Sequence, residues 1–298
     1  MRTWMIGLGV GFGAALAVWT SRKQNSGVYR QSNGEEWAVI TGASAGIGAA
    51  FARHLAADGY RLLLIARRRE RLEHVANELS RRHGVEVEML QADLTQENDI
   101  ERAVQVIGEL NPLALLVNNA GFGTSGAFVD NTATSQAQMV RLHAEAPIRL
   151  TRAALPGMIA RRHGAIINVA STAAFYALAG NATYCASKRF LITFSEVLGV
   201  ELSKQRVAVQ ALCPGFTRTE FHTSEMFRAS GKQLPDIPDF LWMSGEDVVA
   251  CSLRELGRST ICIPGRLNKL IARLPAVLPS AVIAKAGGKL AGGDNFGM

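Results

Sequence analysis

The chain has 298 residues, 48% of them hydrophobic, with a formal net charge of +7; this suits one sizeable core with appendages better than two full domains. The charge lies at the ends: Arg2, Arg22, Lys23 and Arg30 stand against Glu35, and Arg266, Lys269, Arg273, Lys285 and Lys289 against Asp294, so residues 36–263 balance to zero. This excludes a nucleic-acid binder with its basic patch on the folded domain and fits two tails at an anionic membrane surface. The cysteines, Cys185, Cys213, Cys251 and Cys262, form no CxxC pair, so neither a zinc site nor a redox pair is signalled, and they read as buried thiols of a reducing compartment.

The first stretch, Thr3 to Ser21, carries no charge. Its Gly9, Gly11 and Ala14 spell GxGxxA, but no strand precedes them, and a phosphate-binding loop needs a strand before it and a helix after it. As a helix the stretch would span about 28 Å, close to the hydrocarbon thickness of a bilayer. Trp4 and Trp19 stand near its ends, and Gly7/Gly11 and Gly9/Gly13 form GxxxG spacings. One basic residue precedes it and three follow, which places the main domain on the cytoplasmic side. A cleaved signal peptide (Ala15-Leu16-Ala17 resembles a cleavage site) and a buried soluble helix are the alternatives. The reading adopted is an anchor over 1–21 and a polar linker over 22–36.

A βα alternation then runs through residues 37–263. Strands are expected at Trp37–Thr41, Arg61–Ala66, Val85–Leu90, Leu113–Val117, Gly164–Ala170 and Val207–Leu212. Helices are expected at Gly46–Asp58, Glu70–His83, Gln96–Leu110, a long one ending near Arg162, and Ala182–Lys204. The alternation predicts an α/β fold: a Rossmann-like, doubly wound parallel sheet in a single domain, with ligands at the carboxyl ends of the strands. The N-terminal hydrophobic helix and a C-terminal amphipathic tail are appended to it.

The motifs fall at those strand ends. TGASAGIG, Thr41 to Gly48, follows strand one and opens a helix, the context of a phosphate loop. After strand two, where an acid would take a ribose 2′-hydroxyl, stand Ala66, Arg67, Arg68 and Arg69. Arginines there can hold a 2′-phosphate, which points to NADP(H); they can also simply solvate a helix start. NNAG, Asn118 to Gly121, ends strand four. Ser171 follows strand five, and YCASK places Tyr184 and Lys188 four apart on one helix face. An ammonium beside a phenol is expected to lower its pKa and make Tyr184 a general acid or base, with Ser171 bonding a substrate carbonyl.

Taken together, TGxxxGIG, Asp93, NNAG, Ser171, YxxxK and PGxxxT (Pro214, Gly215, Thr219) resemble the short-chain dehydrogenase/reductase family, in particular its long-chain 3-oxoacyl and hydroxysteroid reductase branch. The resemblance implies that Tyr184 exchanges the proton, Lys188 binds the nicotinamide ribose, and Ser171 orients the carbonyl. It implies a cofactor cleft formed by Thr41, Gly42, Ser44, Ala45, Gly46, Ile47, Gly48, Arg67, Arg68, Asp93, Leu94, Asn119, Ala120 and Gly121. Tyr184 and Lys188 border that cleft, with Pro214, Gly215, Thr217 and Thr219 at its nicotinamide end. Where the family has a fourth catalytic residue, an Asn, this chain aligns His143; the histidine either joins the proton relay or sits at a helix interface.

The region 214–245 carries Phe216, Phe221, Met226, Phe227, Phe240, Leu241, Trp242 and Met243. In the family it resembles this region forms the substrate lid, and the apolar content suggests a lipid-like ketone or acyl chain; packing of the loop onto the core is the alternative. In the tail, 264–298, Leu267, Leu270, Ile271 and Leu274 recur at helical spacing among basic residues. That helix lies on a membrane, on its own domain or on a subunit partner. The sequence therefore reads as a membrane-tethered NADP(H)-dependent reductase, a dimer or tetramer acting on a hydrophobic small molecule, with no metal and no nucleic acid. A non-catalytic NADP(H) sensor or scaffold at a membrane is the alternative.

Overall fold

The computed structural model describes residues 29–124, 126–223 and 237–273. Seven strands, β1 (Trp37–Thr41), β2 (Arg61–Ala66), β3 (Val87–Gln91), β4 (Leu113–Asn118), β5 (Gly164–Val169), β6 (Val207–Leu212) and β7 (Ile261–Cys262), form one sheet in the order β3-β2-β1-β4-β5-β6-β7. Every pairing is parallel. The central strands are buried along their length, which is why they read as continuous apolar runs rather than alternating ones.

Helices cover both faces. Side chains alternate along β1: Ala38 and Ile40 enter one core and Trp37 and Val39 the other. The first face carries α1 (Gly46–Ala57) and α2 (Arg69–His83). Helix α2 buries Leu72, Val75, Ala76 and Leu79, one stripe at helical spacing, and ends at Gly84 in the left-handed conformation. The second face carries α3 (Glu97–Glu109), which buries Ile100, Ala103 and Ile107.

The long helix expected before Arg162 is three pieces: α4 (Ala133–Val140), a π-turn (Arg141–Glu145) and α5 (Ala146–Arg161). Pro147 has no N–H to give the carbonyl four residues back, which is that of His143, so the α-helical ladder cannot run through this point. Helix α6 (Ala182–Glu201) follows β5. Helix α7 (Gly245–Glu255) packs beside α1, and α8 (Arg266–Ile271) closes the described chain.

Among the described residues no helix is long and apolar enough to cross a membrane. The proposed anchor, Thr3–Ser21, lies outside them, as do Met226, Phe227 and Leu274. Leu267 and Leu270 of α8 are exposed, while Asn268 is the buried side chain. Asn268 donates to the Pro264 carbonyl at 3.0 Å and packs on Met243. A small, internally satisfied polar group fits that space, and the leucines are left facing outward.

Candidate active site

Each motif lies at the carboxyl end of a strand or on the element that follows it, where open parallel sheets bind ligands. Thr41 ties the first two together. Its hydroxyl accepts the N–H groups of Asn119 and Ala120, each at 2.9 Å, and the Asn119 amide donates to the Thr41 carbonyl at 2.8 Å. The loop after β1 is thereby fixed to NNAG after β4. Gly42 has φ +67°, and a Cβ there would meet the Asn119 amide at 2.8 Å; a Cβ on Gly48 would lie 2.3 Å from the Gly42 carbonyl oxygen. Side chains are excluded at both positions.

The loop suits a phosphate group. Helix α1 begins after Ala45, which offers no side-chain cap, so its first N–H groups remain for an anion. The other end of the same loop meets the PGxxxT segment: a Cβ on Gly46 would lie 3.1 Å from Thr219. Beyond β2, Arg68 donates to the Ser44 hydroxyl at 3.3 Å and to Glu220 at 2.9 Å. Arg71 donates to both oxygens of Glu220, and Arg67 faces Asp93 at 3.8 Å. With arginines and no acid at the end of β2, the residues present fit a dinucleotide carrying an extra phosphate. Asp93, expected in the cofactor cleft, turns one oxygen onto the Thr95 N–H and hydroxyl at 3.0 and 2.8 Å, and Leu94 is buried in the second core. Sequence reasoning passed over Arg71, although it belongs to the same ARRRER run, and over Glu220, whose place depends on a contact spanning about 150 residues.

Ser171, Tyr184 and Lys188 converge above β5. The Ser171 hydroxyl accepts the Ala173 N–H at 3.1 Å, which leaves its own proton to donate. Lys188 is buried and donates to the Val169 carbonyl at 2.9 Å. Its ammonium lies 5.7 Å from the Tyr184 ring centroid. The electrostatics differ from expectation. Burial pushes Tyr184 up to about 12, the Ser171 hydroxyl pulling the other way; burial also brings Lys188 down to about 7. The ammonium does not lower the phenol here, because withdrawal from water dominates both groups.

His143 is buried in the π-turn. Its Nε2 accepts the Phe122 N–H at 3.2 Å, and Nδ1 lies 2.9 Å from the Ser187 hydroxyl, which donates to the Tyr184 carbonyl at 2.9 Å. The accepting Nε2 puts the ring proton on Nδ1. Burial and the Lys188 charge hold the imidazole well below its ordinary pKa, so it is neutral and engaged at both nitrogens. Of the two readings the sequence leaves open for His143, these contacts fit the helix interface: the ring clamps NNAG to the tyrosine helix. Ser187, inside YCASK and three residues after Tyr184, was the available hint of that clamp.

The substrate side is apolar. Phe221 packs on Tyr184 with ring centroids 5.9 Å apart, and Phe216 on Trp242 at 5.5 Å. Thr217 bridges to Met243, and its hydroxyl donates to the Gly215 carbonyl at 3.0 Å. Gly215 itself is pressed against α8: a Cβ there would lie 2.7 Å from the Asn268 amide. Among the described residues no group of three or more His, Cys, Asp or Glu is placed to hold a metal ion.

The short chain dehydrogenase family model matches residues 36–228. The very-long-chain 3-oxoacyl-CoA reductase of Anas platyrhynchos is 35% identical over 188 residues, 62% of this chain and 60% of that protein. The match therefore spans less than two thirds of that relative's length. The protein of the same name from Bos taurus is 30% identical over 252 residues, 82% of this chain and 76% of the bovine one. Among solved structures, a short-chain dehydrogenase from Sphingobium yanoikuyae in complex with NADPH is similar with a TM-score of 0.72 and 33% identity, over 83% of this chain and 97% of that one.

Proposed function

The chain belongs to the short-chain dehydrogenase/reductase family, and on that premise we propose that it is an NADP(H)-dependent reductase of a ketone on a long, hydrophobic acyl-type substrate. The observation that carries this reading is the convergence of Ser171, Tyr184 and Lys188 beside NNAG, with Phe221 packed on the Tyr184 ring. The Arg68–Arg71 pair supports NADP(H) over NAD(H), and an NADPH-bound structure stands among the similar ones. The names of the duck and bovine relatives support the substrate class.

The loop 41–48, Asn119, Ala120 and Gly121 would hold the cofactor, with Arg68 at its 2′-phosphate and Pro214, Gly215, Thr217 and Thr219 towards its nicotinamide end. Bound there, NADPH supplies the hydride. Ser171, whose hydroxyl bonds Tyr184 in the free protein, would donate to the substrate carbonyl oxygen and position it. Tyr184, protonated throughout the physiological range, gives its phenolic proton to the same oxygen as negative charge develops on it. Lys188 is divided between ammonium and amine near pH 7 in the free protein; an anionic partner nearby favours the ammonium, which then stabilises the phenolate. Phe221, packed on the Tyr184 ring, shields that side of the proton donor from water.

The uncharged stretch 3–21 supports an anchor with the catalytic domain facing the cytoplasm, and the exposed Leu267 and Leu270 support a tail that meets lipid or a second subunit. The reading is tested by NADPH oxidation with the purified full chain in detergent, across 3-oxoacyl thioesters, steroids and long-chain aldehydes. Turnover of a 3-oxoacyl thioester, reduced at least ~10³-fold in Tyr184→Phe with NADPH binding unchanged, is the expected result. Turnover that survives Tyr184→Phe overturns the mechanism. NADPH binding without turnover of any panel member favours a sensor.

A further inference from the structure

Glu220 follows directly on the PGxxxT segment, yet its carboxylate lies on the arginines after β2. Arg68 Nη1 donates to it at 2.9 Å, and Arg71 Nη1 donates to both of its oxygens. The remaining terminal nitrogen of Arg68 is turned to the Ser44 hydroxyl of the phosphate loop. Two guanidinium groups thus converge on one compact oxyanion, as they would on a phosphate, while Ser44 is held beside them by Arg68. Arg67 and Arg69 are differently engaged, with Asp93 and Glu73. The pair Arg68–Arg71 is thus the part of the run that Glu220 takes up.

We propose that Glu220 is a specificity-determining residue whose carboxylate occupies the Arg68–Arg71 pair in place of the cofactor's 2′-phosphate, so that NADP(H) must displace it and NAD(H) need not. The inference rests on the NADP(H) reading above. A dianionic phosphate and a carboxylate cannot share one guanidinium fork without repulsion between them. The phosphate wins because it carries more charge and more acceptor oxygens, but its affinity is reduced by the contest. A cofactor lacking the 2′-phosphate leaves the pair undisturbed. The native residue therefore narrows the preference for NADP(H) that the arginines create.

The displaced carboxylate has a neighbour of consequence. Phe221 packs against the Tyr184 ring and lies over Gly123, where a Cβ would come within 3.2 Å of it. Glu220 and Phe221 are consecutive, so the contact with the arginines and the contact with Tyr184 sit on one stretch of backbone.

The test is calorimetric titration of the full chain in detergent with adenosine 2′,5′-bisphosphate and with ADP, for the native protein, Glu220→Gln and Glu220→Asp. These ligands lack the nicotinamide, so turnover plays no part. Because Glu220 is exposed, the variants should retain the native melting curve, which is recorded alongside. Glu220→Gln is expected to bind the 2′,5′-bisphosphate about three- to tenfold more tightly, the range for loss of one or two exposed ion pairs. ADP should change less than about twofold, and Glu220→Asp should lie between native and Gln. Unchanged bisphosphate binding in Glu220→Gln, or equal tightening of both ligands, overturns the proposal. A native protein that binds the bisphosphate no better than ADP overturns the NADP(H) reading and the displacement with it.

Discussion

Lys188 donates to the carbonyl oxygen of Val169 at 2.9 Å, and this bond holds a buried ammonium over the end of β5. Burial brings the group down to about 7 from the ordinary 10.5. The folded state therefore binds fewer protons than the unfolded one between those values, so stability rises with pH across that window; below about pH 7 the full penalty is present. The gap corresponds to at most about 5 kcal/mol. Lys188→Met would remove it and leave the Val169 carbonyl unpaired, at a cost of about 1–3 kcal/mol. The expected net result at pH 7 is a melting temperature higher by about 3–8 °C, a smaller gain at pH 9.5, and loss of turnover. A variant that melts lower at pH 7, or whose gain grows with pH, would refute the assignment.

For His143, positioning and proton transfer make opposite forecasts. The ring joins the Phe122 N–H to Ser187 from a buried site, so His143→Ala should cost about 2–4 kcal/mol of stability through the cavity and the orphaned donor. His143→Gln, which keeps polar atoms at the end of the side chain, should recover part of that. In either variant kcat falls while the pH dependence of kcat keeps its shape, because the native imidazole does not titrate in the working range. A limb near pH 6 that is present in the native profile and absent from His143→Gln would return the ring to the relay.

We expect the arginine that faces both Ser44 and Glu220 to read the cofactor's extra phosphate. Arg68→Ala should weaken NADPH about ten- to a hundredfold, the range for loss of charge-assisted hydrogen bonds, and change NADH less than about threefold. Fluorescence titration of both cofactors checks this. Comparable losses would mean that Arg68 shapes the helix start and does not read the phosphate.

The fold was legible where burial leaves a simple pattern. β1, β2 and β6 occupy the residues expected of them, since strands covered on both faces are nearly continuous apolar runs, Gln210 being the polar interruption in β6. β3 begins two residues later than expected and ends at Gln91; it is an edge strand with Glu88 and Met89 turned to solvent. β7 has two residues, too few for a pattern. The start of α7 was signalled and overlooked: Ser244 accepts the Asp247 N–H at 3.0 Å and donates to its carboxylate at 2.7 Å, a capping arrangement written as Ser-x-x-Asp.

In the candidate site, the glycine loop, NNAG, Ser171 and YxxxK are local strings on successive strand ends, and the sheet brings them together in chain order. Glu220 carries no local signal, because its partners lie about 150 residues earlier. The Tyr184–Lys188 spacing was readable, but the electrostatics were not. Spacing places two groups on one helix face, whereas their pKa values follow from how much water the packed site removes.

The seat of Gly215 against Asn268 alters where this molecule can be cut. Judged by charge, the working unit ends at residue 263 and the basic segment beyond it is an appendage. Asn268 nevertheless fills the space behind the Pro214–Gly215 turn and braces it from below. A fragment stopping at 263 would carry every signature residue and still present that turn unsupported, open to solvent on its inner side. The stretch that the charge pattern sets apart is, by packing, the footing of the Pro214–Gly215 turn.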